Sequence, residues 1–345
     1  MTTRVAFIGT GSRSVSHMVA LSHMPDVEIV GLCDIKEELC SAAQEKANAR
    51  RPLESRPIQA AHFTDFRRMA EQVDFDCLYL CVPPFVHAEI DHPAIELGKP
   101  LFFEKPIAVE LPVAKEIAAH LQERNLINAV GYQKRYSPAV ERAVELLTGQ
   151  TIGMVISIRF AGLGGAPWWR VQSKSGGMLI EQHTHAVDMM RLLAGEIESV
   201  YAVANTLLLA GAPDLDIFDA NACTVRFANG APGIIGNSCA IPQGADLFPG
   251  HLVHVATKEM LLSVTTSKTT IRRPGAEPEE IPGSTDREDT YQLNLDFIEA
   301  VRSGDQDAGR QVRSNYQEAL RTFAVTYACQ HSAETNQVIE LKDLI

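Results

Sequence analysis

The sequence contains no cluster of basic residues, and its 43 acidic side chains outnumber the 31 basic ones, for a formal net charge of -12. Because nucleic-acid-binding proteins hold phosphates with grouped Lys and Arg, this balance argues against a nucleic-acid partner. No apolar run reaches the roughly 18–20 residues that a bilayer span requires, and no secretory leader is expected ahead of the apolar run at Val5–Ile8. We therefore expect neither a membrane partner nor export.

The seven cysteines are scattered, with no CxxC pair among them. This pattern favours buried, reduced thiols in a cytoplasmic protein and gives no indication of structural zinc. What the sequence does contain is the composition of an ordinary globular enzyme, 46% hydrophobic and 21% charged over 345 residues. That length predicts two domains, which we place at residues 1–132 and 133–345.

The first 132 residues alternate short apolar runs with helical stretches. Runs that are apolar almost throughout are typical of parallel strands covered on both faces. We predict an α/β fold, a Rossmann doubly wound parallel sheet, whose strands lie at Arg4–Ile8, Val27–Cys33, Ala60–Phe63, Cys77–Val82, Leu101–Glu104 and Ile127–Tyr132.

After Ser137 the pattern changes to one helix followed by longer strands, with turn signals such as Asn229-Gly230 between them. We predict a second, α+β domain dominated by an antiparallel sheet and closed by helices at the end of the chain. The predicted strands are Met154–Phe160, Val200–Leu209, Ala222–Phe227, Gly233–Ala240 and Leu252–Val264, and the predicted helices are Pro138–Leu147, Leu293–Val301 and Tyr316–Ser332.

A glycine-containing turn directly follows the first strand and opens the first helix. The first glycine permits a tight turn, the second lets the backbone approach a pyrophosphate, and the helix N-terminus stabilises its negative charge. Ser14 stands where a third Gly or Ala is usual. The cofactor-binding residues predicted in this turn are Gly9, Thr10, Gly11, Ser12 and Arg13.

Asp34 ends the second strand, at the distance from the glycine turn that is typical of a ribose-binding acid. A carboxylate there accepts hydrogen bonds from the adenosine ribose and repels a 2′-phosphate, which favours NAD over NADP. Lys36 and Arg13 lie close enough in sequence to leave NADP open. The alternative role for Asp34 is a helix N-cap ahead of Lys36.

Two further segments follow the fourth and fifth strands, at the edge of a parallel sheet where ligands bind. A pair of prolines makes a rigid exit after the fourth strand, and a charged lysine follows the fifth. On position alone, Lys105 is either a catalytic residue or a solvated surface lysine. The cofactor-binding residues predicted in these segments are Pro83, Pro84, His87, Glu104 and Lys105.

In the second domain, a pair of glycines precedes Glu181, His185 and Asp188. Removal of hydride from an alcohol needs a base for the hydroxyl proton, and an imidazole with a carboxylate nearby suits that task. If the helix begins near Glu181, all three residues share one face; if it begins at Thr184, only His185 and Asp188 do. His185 could instead be a hydrogen-bonded residue at the start of the helix.

His183 stands between these residues, and Glu181, His183 and His185 together could also ligate a metal. We predict no metal, because no further ligand stands at a recognisable spacing, and we assign His183 to the substrate site.

Two tryptophans and an arginine, Trp168, Trp169 and Arg170, suit a sugar site, because aromatic faces stack on sugar C–H surfaces and Arg donates to hydroxyls. An interface or core role is an equal alternative for the two tryptophans. The other predicted substrate-binding residues are Tyr132, Arg135, Trp168, Trp169 and Arg170, and Gln133 could line the same cleft.

The glycine turn, the segment Glu104-Lys105-Pro106 and the GG…E-x-x-x-H-x-x-D segment resemble the glucose-fructose oxidoreductase / inositol dehydrogenase / rhizopine-catabolism family over nearly the whole chain. The resemblance implies that Lys105 orients the reacting hydroxyl and the nicotinamide. It implies that His185 is the general base or acid, assisted by Glu181, which stands where many members carry Asp; His183 stands where many carry Gly. It also implies an open sheet whose exposed face makes a homodimer or homotetramer.

Together these features predict an NAD-dependent dehydrogenase of a sugar, cyclic polyol or sugar derivative, with Lys105, His185 and Glu181 as catalytic residues. One alternative is an enzyme that retains NAD for elimination, epimerisation or glycoside cleavage, with His183 or Glu181 as a second acid/base. Another is a sugar- or cofactor-sensing regulator without chemistry. The presence of both Lys105 and His185 argues against such a regulator.

Overall fold

The structure, a computed structural model, describes residues 2–163, 165–242, 252–305 and 312–345. The chain divides into two compact units, each assembled from three segments. The first unit comprises Met1–Ala108, Pro112–Gln133 and Asp286–Glu318, and the second comprises Val109–Leu111, Lys134–Thr285 and Ala319–Ile345. The domain boundary expected between residues 132 and 133 stays a prediction.

The first unit is built on six strands: β1 Thr3–Ile8, β2 Val27–Cys33, β3 Ala61–Phe63, β4 Cys77–Leu80, β5 Leu101–Phe103 and β6 Asn128–Val130. They form one sheet in the order β3-β2-β1-β4-β5-β6, and every pairing in it is parallel. All side chains of β4 and β5 are inaccessible to solvent, as expected for strands covered on both faces. The predicted doubly wound sheet is confirmed.

The helices of the first unit are α1 Ser12–Leu21, α2 Glu37–Arg50, α3 Phe66–Gln72, α4 His87–Ile95, α5 Leu111–Glu123 and α9 Asp286–Ser303. Helix α9 follows the second sheet in sequence yet contributes to the core of the first unit. Phe297 of α9 meets the ring of Tyr79 edge-on at 5.6 Å, and Tyr79 stacks on Phe102 at 4.6 Å. Further along the same segment, the carbonyl of Ser314 accepts a hydrogen bond from the backbone N–H of Val130 in β6.

The second unit is built on nine strands: β7 Ile152–Phe160, β8 Ile197–Asn205, β9 Ala220–Phe227, β10 Pro232–Ser238, β11 Val253–Thr257, β12 Leu261–Val264, β13 Lys268–Arg272, β14 Glu279–Pro282 and β15 Ile339–Glu340. Their order is β14-β13-β12-β11-β7-β10-β9-β8-β15. Only β7 and β10 pair in parallel in the described part of this sheet; the other pairings are antiparallel. The predicted mostly antiparallel sheet is confirmed.

The α-helices of the second unit are α6 Pro138–Leu147, α7 Gln172–Ser175, α8 Thr184–Ala194 and α10 Tyr316–Thr335. Burial alternates along the central strands, so one face of the sheet is covered and the other is open. In β9, for example, Cys223 and Val225 are buried whereas Ala222 and Thr224 are exposed. The open face also exposes Val203 of β8.

Two predicted strands of the second unit are wrong in extent. The stretch Leu252–Val264 is not one strand but the antiparallel hairpin β11–β12, because the Thr257 hydroxyl accepts the backbone N–H groups of Glu259 and Met260 and closes a turn. Strand β8 ends at Asn205, four residues before the predicted end.

No helix in the described ranges has the length and apolar character that crossing a membrane demands.

Candidate active site

The glycine turn after β1 has two glycines with different surroundings. Gly9 has φ +84°, and a Cβ added there would lie 2.4 Å from the carbonyl oxygen of Cys81, so only glycine lets the two strand ends approach. A Cβ on Gly11 would meet no atom within 4 Å. Gly11 is also the N-cap of α1, and because it has no side chain, the first N–H groups of the helix have no side-chain cap from it. This arrangement fits a bound pyrophosphate.

Ser14, which departs from the usual third glycine, is satisfied inside the turn. Its hydroxyl donates to the carbonyl of Gly9 at 2.6 Å, and the side chain is fully buried. Strand–helix packing therefore accommodates the hydroxymethyl group by using it to close the turn.

Asp34 is bonded to the glycine turn and does not cap helix α2. Its Oδ2 accepts hydrogen bonds from the backbone N–H and the hydroxyl of Thr10, both at 2.7 Å, and its Oδ1 accepts from the N–H of Ile35. The N-cap of α2 is Lys36, without a side-chain cap. Since a carboxylate has about four acceptor positions, the arrangement leaves Asp34 capacity for a ribose hydroxyl.

The segment after β4 turns sharply through Pro83 and Pro84 into helix α4. His87 begins α4 and is wholly buried, with its Nδ1 3.0 Å from Oδ1 of the equally buried Asp91. The predicted contact of His87 with the cofactor stays a prediction, and the pairing with Asp91 gives the ring a role in fixing this turn.

Glu104 lies at the end of β5 and is almost completely buried. Its Oε1 accepts from Arg13 Nε at 3.0 Å and from His17 Nε2 at 2.8 Å, and its Oε2 accepts from the backbone N–H of Lys105 at 3.0 Å. Burial by itself raises the pKa of Glu104, but the charge of Arg13 and the hydrogen bond from His17 outweigh it and lower the pKa to about 2. The carboxylate is thus a fixed anion that orients the backbone carrying the half-buried Lys105.

His17 extends this network into the core. Burial lowers the pKa of His17, so the neutral ring donates from Nε2 to Glu104 and accepts at Nδ1 from the amide Nδ2 of Asn294, 2.9 Å away. The phenol of Tyr79 donates to Asn294 Oδ1 at 2.8 Å. The sequence analysis predicted none of these three residues, because they are distant in sequence and come together only in the folded chain. The one feature that could have indicated the network is a histidine on the apolar side of α1.

Arg13 joins the glycine turn to the segment that carries Lys105. Besides the bond to Glu104, its Nη1 lies 3.4 Å from Oδ2 of Asp286, whose Oδ1 accepts from Gln133 Nε2 at 3.0 Å. The Nη2 atom of Arg13 is buried and has no hydrogen-bond partner among the described residues. A guanidinium nitrogen without a partner, on a residue of the dinucleotide turn, suits an anionic group of a dinucleotide.

In the second unit, helix α8 begins at Thr184 and is preceded by a π-helical turn at Leu179–His183. Glu181 and His185 are both buried, and Glu181 accepts a hydrogen bond from the Gln182 amide. A π-helical turn changes the angular spacing of side chains, so the α-helical spacing that would put Glu181 on the same face as His185 and Asp188 does not apply here. The catalytic roles of Glu181 and His185 stay predictions.

His183 lies in the interior of the second unit. Its Nε2 is 3.2 Å from the hydroxyl of Ser157 in β7, and Ser157 donates to the carbonyl of Leu252. Burial and, second, the charge of Arg159 lower the pKa of His183 to about 3, so the ring is neutral and donates to Ser157. These contacts favour a structural role, and the predicted substrate contact stays a prediction.

Asp188, the last member of the sequence pattern, is bonded to Arg135. Arg135 Nε and Nη2 donate to the two carboxylate oxygens, each at 2.7 Å, and both side chains are buried. Thr322 of α10 donates to the same carboxylate at 2.8 Å. This bidentate pair ties the turn before α6 to α8 and α10, and the substrate contact predicted for Arg135 stays a prediction.

The two tryptophans pack edge to face at 5.9 Å. Trp169 is partly buried against the apolar cluster of Met178, Ile217 and Cys239, whereas Arg170 is exposed. Tyr132, after β6 in the first unit, is almost wholly buried. The described residues include no group of three or more His, Cys, Asp or Glu side chains arranged to hold a metal ion.

The parallel sheet, the glycine turn, Asp34 and the segment Glu104–Pro106 define a dinucleotide-binding oxidoreductase architecture. Two family models match the chain: an oxidoreductase family with an NAD-binding Rossmann fold over residues 3–132, and the GFO/IDH/MocA C-terminal domain over residues 140–272. The chain belongs to the GFO/IDH/MocA oxidoreductase family. This confirms the predicted oxidoreductase class and the predicted NAD cofactor.

Named relatives support the same assignment at moderate identity. The uncharacterized oxidoreductase YrbE of Bacillus subtilis (strain 168) is 27% identical over 244 residues, which cover 69% of this chain and 68% of that protein. The scyllo-inositol 2-dehydrogenase (NAD(+)) of the same organism is 28% identical over 272 residues, covering 73% and 77%. A structure of levoglucosan dehydrogenase with NADH and L-sorbose matches with a TM-score of 0.85 at 20% identity, covering 99% of both chains, and shows the same fold.

Proposed function

We propose that this protein is an NAD-dependent dehydrogenase that moves a hydride between nicotinamide and a hydroxyl-bearing carbon of a sugar, cyclic polyol or sugar derivative. The observation that carries the proposal is the Arg13–Glu104 ion pair of 3.0 Å. It fixes the dinucleotide turn to the strand end that presents Lys105. The names of the inositol and levoglucosan dehydrogenases above support a polyhydroxy substrate.

The residues have distinct roles in this proposal. Bound NAD supplies the hydride acceptor, held by the turn at Gly9–Arg13 and, through its ribose, by Asp34. Lys105 donates a hydrogen bond to the reacting hydroxyl oxygen and holds it in place. His185 takes the hydroxyl proton as general base, with Glu181 raising its basicity.

The test is steady-state turnover with NAD and a panel of scyllo-inositol, myo-inositol and levoglucosan, followed by the absorbance of reduced nicotinamide. Lys105→Ala should lower kcat by about 10²–10⁴-fold. Lys99→Ala, which removes a lysine before the same strand β5, is the matched control and should keep the wild-type rate. Full activity of Lys105→Ala would overturn the assignment of Lys105.

We further propose that the open face of the nine-stranded sheet pairs with a second copy of the chain. Val203 and Tyr201 of β8 are exposed there, and an exposed apolar sheet face favours association. Light scattering should give two or four times the chain mass. Val203→Asp should lower that mass, whereas Leu53→Asp, at an exposed position of the first unit, should not.

A further inference from the structure

Three polar side chains stand opposite one another on the covered face of the nine-stranded sheet. The register pairs Arg159 of β7 with Asn237 of β10, and Asn237 with Asn221 of β9. They are 8%, 1% and 6% exposed, respectively. We call these three residues the polar row.

The polar row lies at the end of a mostly apolar surface. On the same face of the same strands, Val155, Ile235, Val225 and Cys223 are buried, and Ser157 of β7 is the buried polar neighbour of Arg159. The row lies where the parallel strands β7 and β10 end, so the polar residues are gathered at one end of the sheet. Polar side chains, which an apolar core does not require, are therefore concentrated at this end of the sheet.

Three amide atoms of the row have no partner among the described residues. Both Nδ2 and Oδ1 of Asn237, and Nδ2 of Asn221, are buried without a hydrogen-bond partner in the described part of the chain. Nearby, Asp219 accepts the N–H groups of Leu208 and Leu209 at Oδ2, each at 2.8 Å, while its buried Oδ1 accepts none from the described residues. Buried amides without partners destabilise a protein, so their retention indicates a ligand that bonds to them.

The candidate catalytic segment of the second unit lies beside the row. Ser157, two residues before Arg159 on the same face of β7, bonds to His183, directly before the helix that carries His185. The influence of Arg159 on the pKa of His183 agrees with this proximity. On the other side, Trp169 packs against the apolar cluster of Met178, Ile217 and Cys239, and Cys239 lies two residues after Asn237.

We infer that the polar row is a specificity-determining subsite that binds hydroxyl groups of the sugar or polyol substrate, an inference that rests on the proposed function. An amide presents a donor and an acceptor side by side, which matches two adjacent hydroxyls: one donates to Oδ1 of Asn237 and the other accepts from its Nδ2. Asn221 Nδ2 donates to a further hydroxyl, and Asp219 Oδ1 accepts from one. Arg159 adds donors at the end of the row.

The first test separates ligand binding from a structural role through paired asparagine variants. Asn237→Leu replaces an amide without partners by an apolar group of similar size, so Tm should stay the same or rise. Asn128→Leu is the matched control, because the Asn128 amide accepts from Tyr316 N at 2.7 Å and donates to the Leu126 carbonyl at 2.9 Å; its Tm should fall. For the best substrate among scyllo-inositol, myo-inositol and levoglucosan, Asn237→Leu should raise KM about tenfold or more, with the Kd for NADH unchanged.

The second test uses the monodeoxy analogues of that substrate. In the wild type, the analogue that lacks the bound hydroxyl should lose kcat/KM about tenfold or more relative to the parent, and Asn237→Leu should abolish that difference. A lower Tm with unchanged KM in Asn237→Leu, or the same analogue discrimination in both proteins, overturns the inference. If Asn237→Leu does not fold, Asn221→Ala is measured in the same way. Absence of turnover by the wild type contradicts the proposed function instead, and the Tm comparison still tests the row.

Discussion

Nε2 of His17 lies 2.8 Å from Oε1 of Glu104, and both side chains are buried in the first unit. The histidine is held from behind by Asn294, which in turn is held by Tyr79. An ionised carboxylate in the core needs such directed donors, because burial alone disfavours its charge. The position of the neighbouring Lys105 backbone therefore depends on residues from α1, β4 and α9.

The first prediction concerns acid stability. Because the folded pKa of Glu104 is about 2, below the usual value of 4.5, its ionisation stabilises the fold above about pH 4.5, and this stabilisation is lost as the pH falls toward 2. The pKa difference corresponds to about 3 kcal/mol. Urea unfolding should show Glu104→Gln less stable than wild type at neutral pH, with the difference shrinking through this window. A difference independent of pH would contradict the buried-anion interpretation.

The second prediction compares the two glycines of the dinucleotide turn. Gly9→Ala should lower the free energy of unfolding by about 1–3 kcal/mol, because alanine is strained at φ +84° and its Cβ would clash with Cys81. Gly11→Ala should keep the wild-type Tm, since its Cβ meets no protein atom, but should weaken NADH binding by about tenfold or more. Thermal melts and NADH fluorescence titration measure the two effects. Equal NADH affinity in Gly11→Ala and wild type would show that the pyrophosphate binds elsewhere.

The third prediction separates the charge of Asp34 from its structural bond to Thr10. Asp34→Asn keeps an acceptor for Thr10 but removes the negative charge, so kcat/KM with NADP should rise relative to NAD by about tenfold, with Tm nearly unchanged. Asp34→Ala removes both and should also lower Tm. If both variants keep the wild-type ratio of kcat/KM for NAD and NADP, the only role of Asp34 is to hold the glycine turn through Thr10.

The fourth prediction concerns the bidentate pair of Arg135 and Asp188. Arg135→Met leaves a buried carboxylate without its cation and should reduce the free energy of unfolding by about 3–5 kcal/mol. The double variant Arg135→Met, Asp188→Leu should recover part of that loss, because neither charge is then left in the core. Chemical denaturation of the three proteins measures both effects. A raised substrate KM in a fully stable Arg135→Met protein would instead assign Arg135 to substrate binding.

The parallel sheet could be predicted because its information is local. Each buried strand, such as Cys77–Leu80, is an apolar run bounded by a helix, and its neighbours follow the same rule. The hairpin at β11–β12 was not predicted, because its turn at Thr257–Met260 contains no Gly, Pro or Asn and is closed by the Thr257 hydroxyl together with a backbone bond from Thr257 to Met260. A side-chain bond to the backbone therefore decided what hydrophobicity alone left ambiguous.

The same distinction holds for the site. The glycine turn and Asp34 are recognisable because short spacings along the chain carry their chemistry. Residues such as His17, Asn294 and Asn237 depend on contacts between distant segments; the bond between His17 and Asn294 spans 277 positions. Strand register and helix packing bring such residues together, and neither is written in any single stretch of sequence.

The return of Asp286–Glu318 to the first unit has a consequence for biosynthesis. The ribosome releases the six parallel strands long before it makes Phe297, which covers Tyr79, and Ser314, which bonds to the edge strand at Val130. A nascent chain that ends before residue 286 lacks these partners, so the amino-terminal sheet reaches its final packing only after nearly all of the polypeptide has been synthesised. Premature termination at any point before residue 286 therefore leaves the nucleotide-binding part unfinished as well.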